Sequence, residues 1–266
     1  TAKKVKRVAL SNAVTRMKKA APVEAVAEAR MRDALVAEME SHLGYEGRYE
    51  WNARIGGAVV QLRTNVAHLN DFWVDNFPPA PGEADVRPHG IVYAVDGIAG
   101  REPRGFYHEG TQTGVLVNTD HYGSLRGLAL GLAMDIGARS GGAGASGAVR
   151  GMSVDFDGSG LILVGPPGTK KTELFFELLA DPRAKLHGND VAFVEIAGGR
   201  AAADCVERKL YMPTAAVELD RRLAPLFDRS KCENVVVHKD DCSDLDCQRA
   251  DDCRLDRGSP YCYKAA

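Results

Sequence analysis

Gly165, Lys171 and Thr172 are the residues of this chain whose types and spacing point most directly to chemistry. They stand in GPPGTKKT, residues 165–172, between the apolar run LILV and the helix-like ELFFELL. A phosphate-binding loop reads Gly, any four residues, Gly, Lys, then Ser or Thr, set between a strand and a helix. Its backbone N–H groups and the first turn of the helix offer partial positive charge to phosphate oxygens. Gly165, Pro166, Pro167, Gly168, Thr169, Lys170, Lys171 and Thr172 therefore form a candidate phosphate cradle. In such a cradle Lys171 reaches the β- and γ-phosphates of a nucleotide and the Thr172 hydroxyl ligates Mg²⁺. Lys170 takes the place of the second glycine, adding bulk where the pattern favours a bare backbone. The same stretch also reads as a plain Gly/Pro turn between strand and helix. Asp190, in GND ahead of VAFVEI, is the candidate Mg²⁺-binding acid, and Gly-Asn-Asp is equally turn chemistry.

Positioning these groups requires a buried strand over 161–164, a helix opening near Lys171 and a strand over 191–196. Upstream, apolar positions from Val26 to Leu43 recur at helical spacing, so the pattern predicts a helix over 22–43 with Gly44 as its stop. A strand over 58–62 follows, then Phe72 and Trp73 as core and a Pro-rich loop over 78–82. Strands over 89–95 and 114–118 flank the turn-rich DGIAGREPRG, and a helix fits 121–137. SGGAGASG, residues 140–147, reads as a flexible connection. Beyond Asp190 the pattern predicts strands over 209–212 and 233–238 and a helix over 215–227. The expected organisation is an α/β domain over 1–139 with a basic N-terminal arm, and a phosphate-loop domain over 148–266 with a Cys-rich tail. Turn-flanking Asp96, Arg101 and Arg104, and Arg63 in QLRTN, read as caps or surface groups, and His108 and His121 as surface or core histidines, with contact to an acid substrate as their alternative.

The 266 residues suffice for a sizeable core. A formal net charge of -2 argues against a broad nucleic-acid footprint while leaving room for a local basic pocket. No apolar run approaches membrane-spanning length and the N-terminus lacks a signal-peptide core, so a cytoplasmic protein with no membrane partner is expected. Of the 6 cysteines, all but Cys205 lie at or after Cys232, with no CxxC pair. Reduced thiols are the expectation, with disulfides or irregular metal binding as the alternatives.

Taken in order along the chain, several segments resemble the phosphoenolpyruvate carboxykinase family. They are NDFWVDNFPPA, VDGIAGREP, GPPGTKKT, ADPRAKLHGND, CENVVVH and LDRGSPY, running from about residue 70 to the end. The resemblance implies mixed sheets, with an N-terminal α/β part packed on a carboxykinase-like nucleotide-binding core and ligand between them. It implies ATP or GTP with Mg²⁺, Mn²⁺ as a further metal, and a small anionic substrate. The implied reaction converts oxaloacetate and nucleotide to phosphoenolpyruvate and CO₂, with a related small-molecule kinase as a variant. Arg257 falls where the family keeps an arginine near the transferred phosphoryl group, and Arg126 where it keeps a metal-binding lysine. Arginine stays protonated and cannot ligate a metal as a neutral lysine does. Ser153 stands where the family has a metal-binding histidine, and Asn189 replaces the first Asp of Gly-Asp-Asp. The family's Thr-Gly-Arg-Ser-Pro substrate signature is not found in this sequence. The sequence stops at Ala266, before the region that builds the family's adenine pocket, which is either dispensable here or belongs to a longer chain. These departures keep open an inactive nucleotide- or phosphate-binding module, or an assembly protein that forms homo-oligomers.

Overall fold

The computed structural model describes residues 21–80, 87–139, 145–166, 169, 171–188, 190–209, 212–213, 232–236 and 262–265. For residues 45, 46, 145, 146, 172 and 173, and for 212 onward, only the backbone is described. Over this range the protein is mixed α/β. The first sheet contains β1 (Val23–Ala25), β2 (Tyr49–Ile55), β3 (Ala58–Thr64), β4 (Gly90–Val95), β5 (Arg104–His108) and β6 (Thr113–Val117). Its helices are α1 (Ala29–Glu46), α2 (Ala67–Asn76) and α3 (Tyr122–Arg139). The strand order is β1-β5-β6-β4-β3-β2, and β3, β4 and β6 run parallel at its centre.

These central strands are apolar and buried almost throughout because helices cover both faces. Alternation along each strand sorts its side chains between two cores. Val92, Ala94 and Leu116 point to a core shared with Leu69, Phe72 and Trp73 of α2 and Leu125 and Leu132 of α3. Tyr93, Val95, Val115 and Val117 point the other way, to Leu35, Met39 and Leu43 of α1. Arg63 of β3 reaches the same side and is paired with Glu40 of α1. Phe72 and Trp73 are core, as their pattern predicts.

The second sheet is antiparallel: β7 (Ala145–Phe156), β8 (Ser159–Val164), β9 (Ala184–Gly188), β10 (Val191–Ala197) and β11 (Arg200–Asp204), with α4 (Lys171–Leu178) between β8 and β9. Long β7 pairs with β8 along one edge and with β9 and β10 along the other. Phe175 of α4 is buried, which seats the helix. A third sheet has the order β12 (Met212–Pro213), β14 (Cys262–Ala265), β13 (Cys232–Val236). Val191, Phe193 and Val206 pack against the core of the first sheet, so the two larger sheets share apolar contact.

Several elements differ from the sequence pattern. Residues 23–25 form a strand rather than the first turn of α1, because β5 takes up their backbone: Gly105 N–H donates to Pro22 O at 2.8 Å and Val26 N–H to Tyr107 O at 2.7 Å. A sheet edge outweighs helical spacing there. α1 then runs through Gly44 to Glu46. Strand β2 precedes β3 in a hairpin whose turn, Gly56-Gly57, has both φ values positive (55° and 84°), the geometry that matches strand twist. Residues 145–147, read as linker, begin β7, and among the described residues of the expected 209–212 strand Met212 is strand, paired on into Pro213. The helix expected over 215–227 lies outside the described residues, as does the basic arm.

Two consequences are measurable by urea unfolding. Trp73→Ala, at a fully buried site, is expected to cost about 3–5 kcal/mol. Gly56→Ala places a Cβ 2.2 Å from the Phe193 ring at positive φ, so a loss of about 1–3 kcal/mol is expected from overpacking where the sheets meet.

Candidate functional site

The chain leaves β8 at Val164, turns through Gly165 and Pro166, and enters α4 at Lys171. Strand, turn and helix thus follow in the order a phosphate cradle needs. The Lys171 ammonium folds back over the turn, donating to Gly165 O at 2.5 Å and to Pro166 O at 2.7 Å. The Thr169 hydroxyl donates to Pro166 O at 2.8 Å. Two of the three donors of the ammonium therefore rest on loop carbonyls. Gly165 has to be small: a Cβ there would come within 2.9 Å of Thr169 Oγ1. Pro167, Gly168 and Lys170 lie outside the described residues, as does Arg257, and of Thr172 only its place in α4 is described.

Asp190 stands at the same end of the second sheet. Gly151 of β7 is opposite Val164 on one side, and on the other its N–H donates to Asp190 O at 2.9 Å. Two strand spacings put Asp190 about 10 Å from the start of the loop. Arg150, beside Gly151, has an 84% exposed side chain and brings Nε to 3.4 Å from Asp190 Oδ1.

Arg126 and Asp190, far apart in sequence, are brought into contact. From α3, Arg126 Nη1 meets Asp190 Oδ2 at 2.6 Å. Its other edge is bidentate on Glu207, with Nε to Oε1 and Nη2 to Oε2 both at 2.5 Å. Asn76, at the end of α2, donates from Nδ2 to Glu207 Oε1 at 2.9 Å. The Glu207 side chain is 4% exposed and that of Asp190 28%. Burial alone would lower the pKa of Arg126, but the hydrogen bonds and charges of Glu207 and Asp190 outweigh it and hold the guanidinium firmly charged. Glu207 carries no motif that the sequence would expose; only its burial beside a cation marks it.

Around this clasp, Ser153 Oγ and His187 Nδ1 are 3.0 Å apart. The Cys205 thiol is pushed up by burial, which favours an inert thiol over a reactive thiolate. His108 hydrogen-bonds Thr111, and His121 Nδ1 accepts from Ser124 N–H at the start of α3. Arg101 pairs with Glu38 and Arg104 with Glu24. Asp96 N–H donates to Asn65 Oδ1. A separate cleft of about 200 Å³ lies at the far end of β10, beside Met134, Phe193, Glu195 and Asp204.

Among the described residues no group of three metal-binding side chains exists, and no helix is long and apolar enough to cross a membrane. Mg²⁺ takes one or two carboxylates and completes its shell with phosphate oxygens and water, and the candidate acid here, Asp190, is already paired with Arg126 and Arg150. A carboxylate has about four lone-pair sites, so contact with two arginines leaves it able to ligate. No protein-family model matches the chain, and no curated protein sequence matches it significantly.

Arg126→Ala would leave Glu207 buried without its cation. A loss of about 3–5 kcal/mol in urea unfolding is expected, and clearly less for Arg126→Met combined with Glu207→Gln.

Proposed function

We propose that the turn between β8 and α4 seats the phosphates of ATP or GTP with Mg²⁺, and that the protein carries out phosphoryl transfer of the carboxykinase type. One observation carries the reading. The Lys171 ammonium lies over the carbonyls of Gly165 and Pro166, at the sheet end where Asp190 stands. A polyphosphate entering that end meets the backbone amides ahead of α4, and the ammonium exchanges carbonyl contacts for phosphate oxygens.

The carboxykinase reaction removes CO₂ from oxaloacetate, and the enolate oxygen so formed takes the γ-phosphoryl group, releasing ADP or GDP and phosphoenolpyruvate. Such a transfer asks little covalent chemistry of the protein and much placement of charge. Lys171 balances the charge on the moving group, and Asp190 faces the metal position. Mg²⁺, when bound, supplies further neutralisation between the phosphates. Arg150, exposed next to the turn, is a second cation within reach of an anionic substrate. A related small-molecule kinase would use the same parts with another acceptor.

A specific observation favours a second reading, a module that binds nucleotide without turnover. Arg126 is engaged with both Asp190 and Glu207, a resting arrangement that leaves the guanidinium paired on two sides. Calorimetric titration of ATP and GTP with Mg²⁺, followed by turnover assays with oxaloacetate and other small acids, separates the two. Lys171→Ala is expected to lower turnover by about two orders of magnitude or more. Turnover unchanged in that variant removes Lys171 from the mechanism, and binding without any turnover selects the module.

A further inference from the structure

We propose that the outer edge of β11 pairs antiparallel with the same edge of a second copy of this chain, so that the second sheet continues across a two-fold axis. This surface is separate from residues 165–172 and needs no ligand there.

β11 closes one side of the second sheet, and among the described residues no strand lies beyond it. Its register on β10 is set by the turn Gly198-Gly199, whose φ values are both positive (58° and 73°), the geometry of a two-residue hairpin. In such a hairpin the residues flanking the turn, Ala197 and Arg200, exchange hydrogen bonds. Direction alternates along the strand, so the N–H and C=O groups of Ala201 and Ala203 point away from β10. An open row of backbone donors and acceptors is a template for another strand, and edges are commonly guarded by lysine, proline or a bulge. β11 carries none of these guards; its outward positions are alanines, which let a second strand approach. Charge selects the occupant. The strand reads Arg-Ala-Ala-Ala-Asp, and laid antiparallel on itself about Ala202 it sets Arg200 opposite Asp204 of the second copy at both ends. The same register sets Ala201 opposite Ala203 of the second copy, which pairs every outward backbone group. Any other register separates the charges. Arg200 and Asp204 are both exposed, and neither has an ion pair among the described residues. Five residues of strand make a small, isologous interface, so the dimer is a weak one that forms as concentration rises.

The test is sedimentation equilibrium of the whole chain over a range of concentrations at low salt, under reducing conditions. Wild-type protein is expected to dimerise. Arg200→Asp puts like charges opposite each other at both ends of the paired strands, as does Asp204→Arg, and each is expected to weaken the dimer about tenfold or more. The Arg200→Asp copy carries acids at both ends of β11 and the Asp204→Arg copy bases at both ends. An equimolar mixture of the two is therefore expected to form a heterodimer at least as tight as the wild-type dimer. Ala201→Pro removes an outward N–H and leaves the bonds to β10 in place, so it is expected to abolish the dimer with an unchanged circular dichroism spectrum. Wild-type protein that stays monomeric throughout overturns the proposal. So does a dimer that the single charge variants or Ala201→Pro leave intact, since its interface lies elsewhere. Weakening in both charge variants without recovery in their mixture also overturns it. Should Ala201→Pro not fold, the mixture decides, because both charge changes lie at exposed positions.

Discussion

A guanidinium between two carboxylates ties the first sheet's helices to the second sheet. Arg126 comes from α3, Glu207 and Asp190 from the second sheet's side, and Asn76 from the end of α2. Each group alone would be costly to bury, since desolvation of a lone ion exceeds what a surface contact returns. Arg126 pairs with both acids and Asn76 donates to Glu207, so the clasp links α2 and α3 to the second sheet's side. Apolar contacts of Val191, Phe193 and Val206 with the first core supply area without direction. The ionic clasp supplies the direction.

That placement fixes where the candidate chemistry sits. Asp190 flanks β7 at the level where β8 ends, so the acid, Arg150 and the turn before α4 share one end of one sheet. The sheet is antiparallel, and the residues meet through cross-strand pairing rather than through sequence proximity. Lys171 is held over the turn by its own carbonyls, a resting position that a phosphate would compete for. Arg126 holds a fixed positive charge between two acids, a place arginine can fill and a neutral lysine cannot.

The other polar clusters serve the frame. Arg63 joins α1 to β3 through Glu40, with Tyr93 hydrogen-bonded to the same carboxylate. Asn65 and Asn118 brace the turn that follows β4, each bonding its backbone on both donor and acceptor sides. These bonds hold the DGIAG segment, which the sequence marks only as turn-rich.

How far the sequence alone reached follows from what each signal depends on. The strands of the first sheet's centre and α3 are legible because local pattern and burial agree, as apolar runs fill a two-sided core, and Gly-Pro with Lys-Thr marks the turn before α4. But β8, expected as a buried strand, lies at the surface with Leu161 41% and Val164 63% exposed, because among the described residues it is an edge strand paired on one side only. β1, β7 and β9 are not legible, since Gly, Ala and Ser in ASGAVRG carry no alternation and residues 23–25 are helical by spacing. Their conformation comes from an edge that another strand offers. The same holds for the site. Residue types by themselves mark residues 165–172 as a candidate phosphate cradle and Asp190 as a candidate acid. Only the tertiary structure decides that Asp190 meets Arg126 and that Glu207, 81 positions from Arg126, pairs with the same guanidinium, because a salt bridge depends on distance in space and has no period along a sequence.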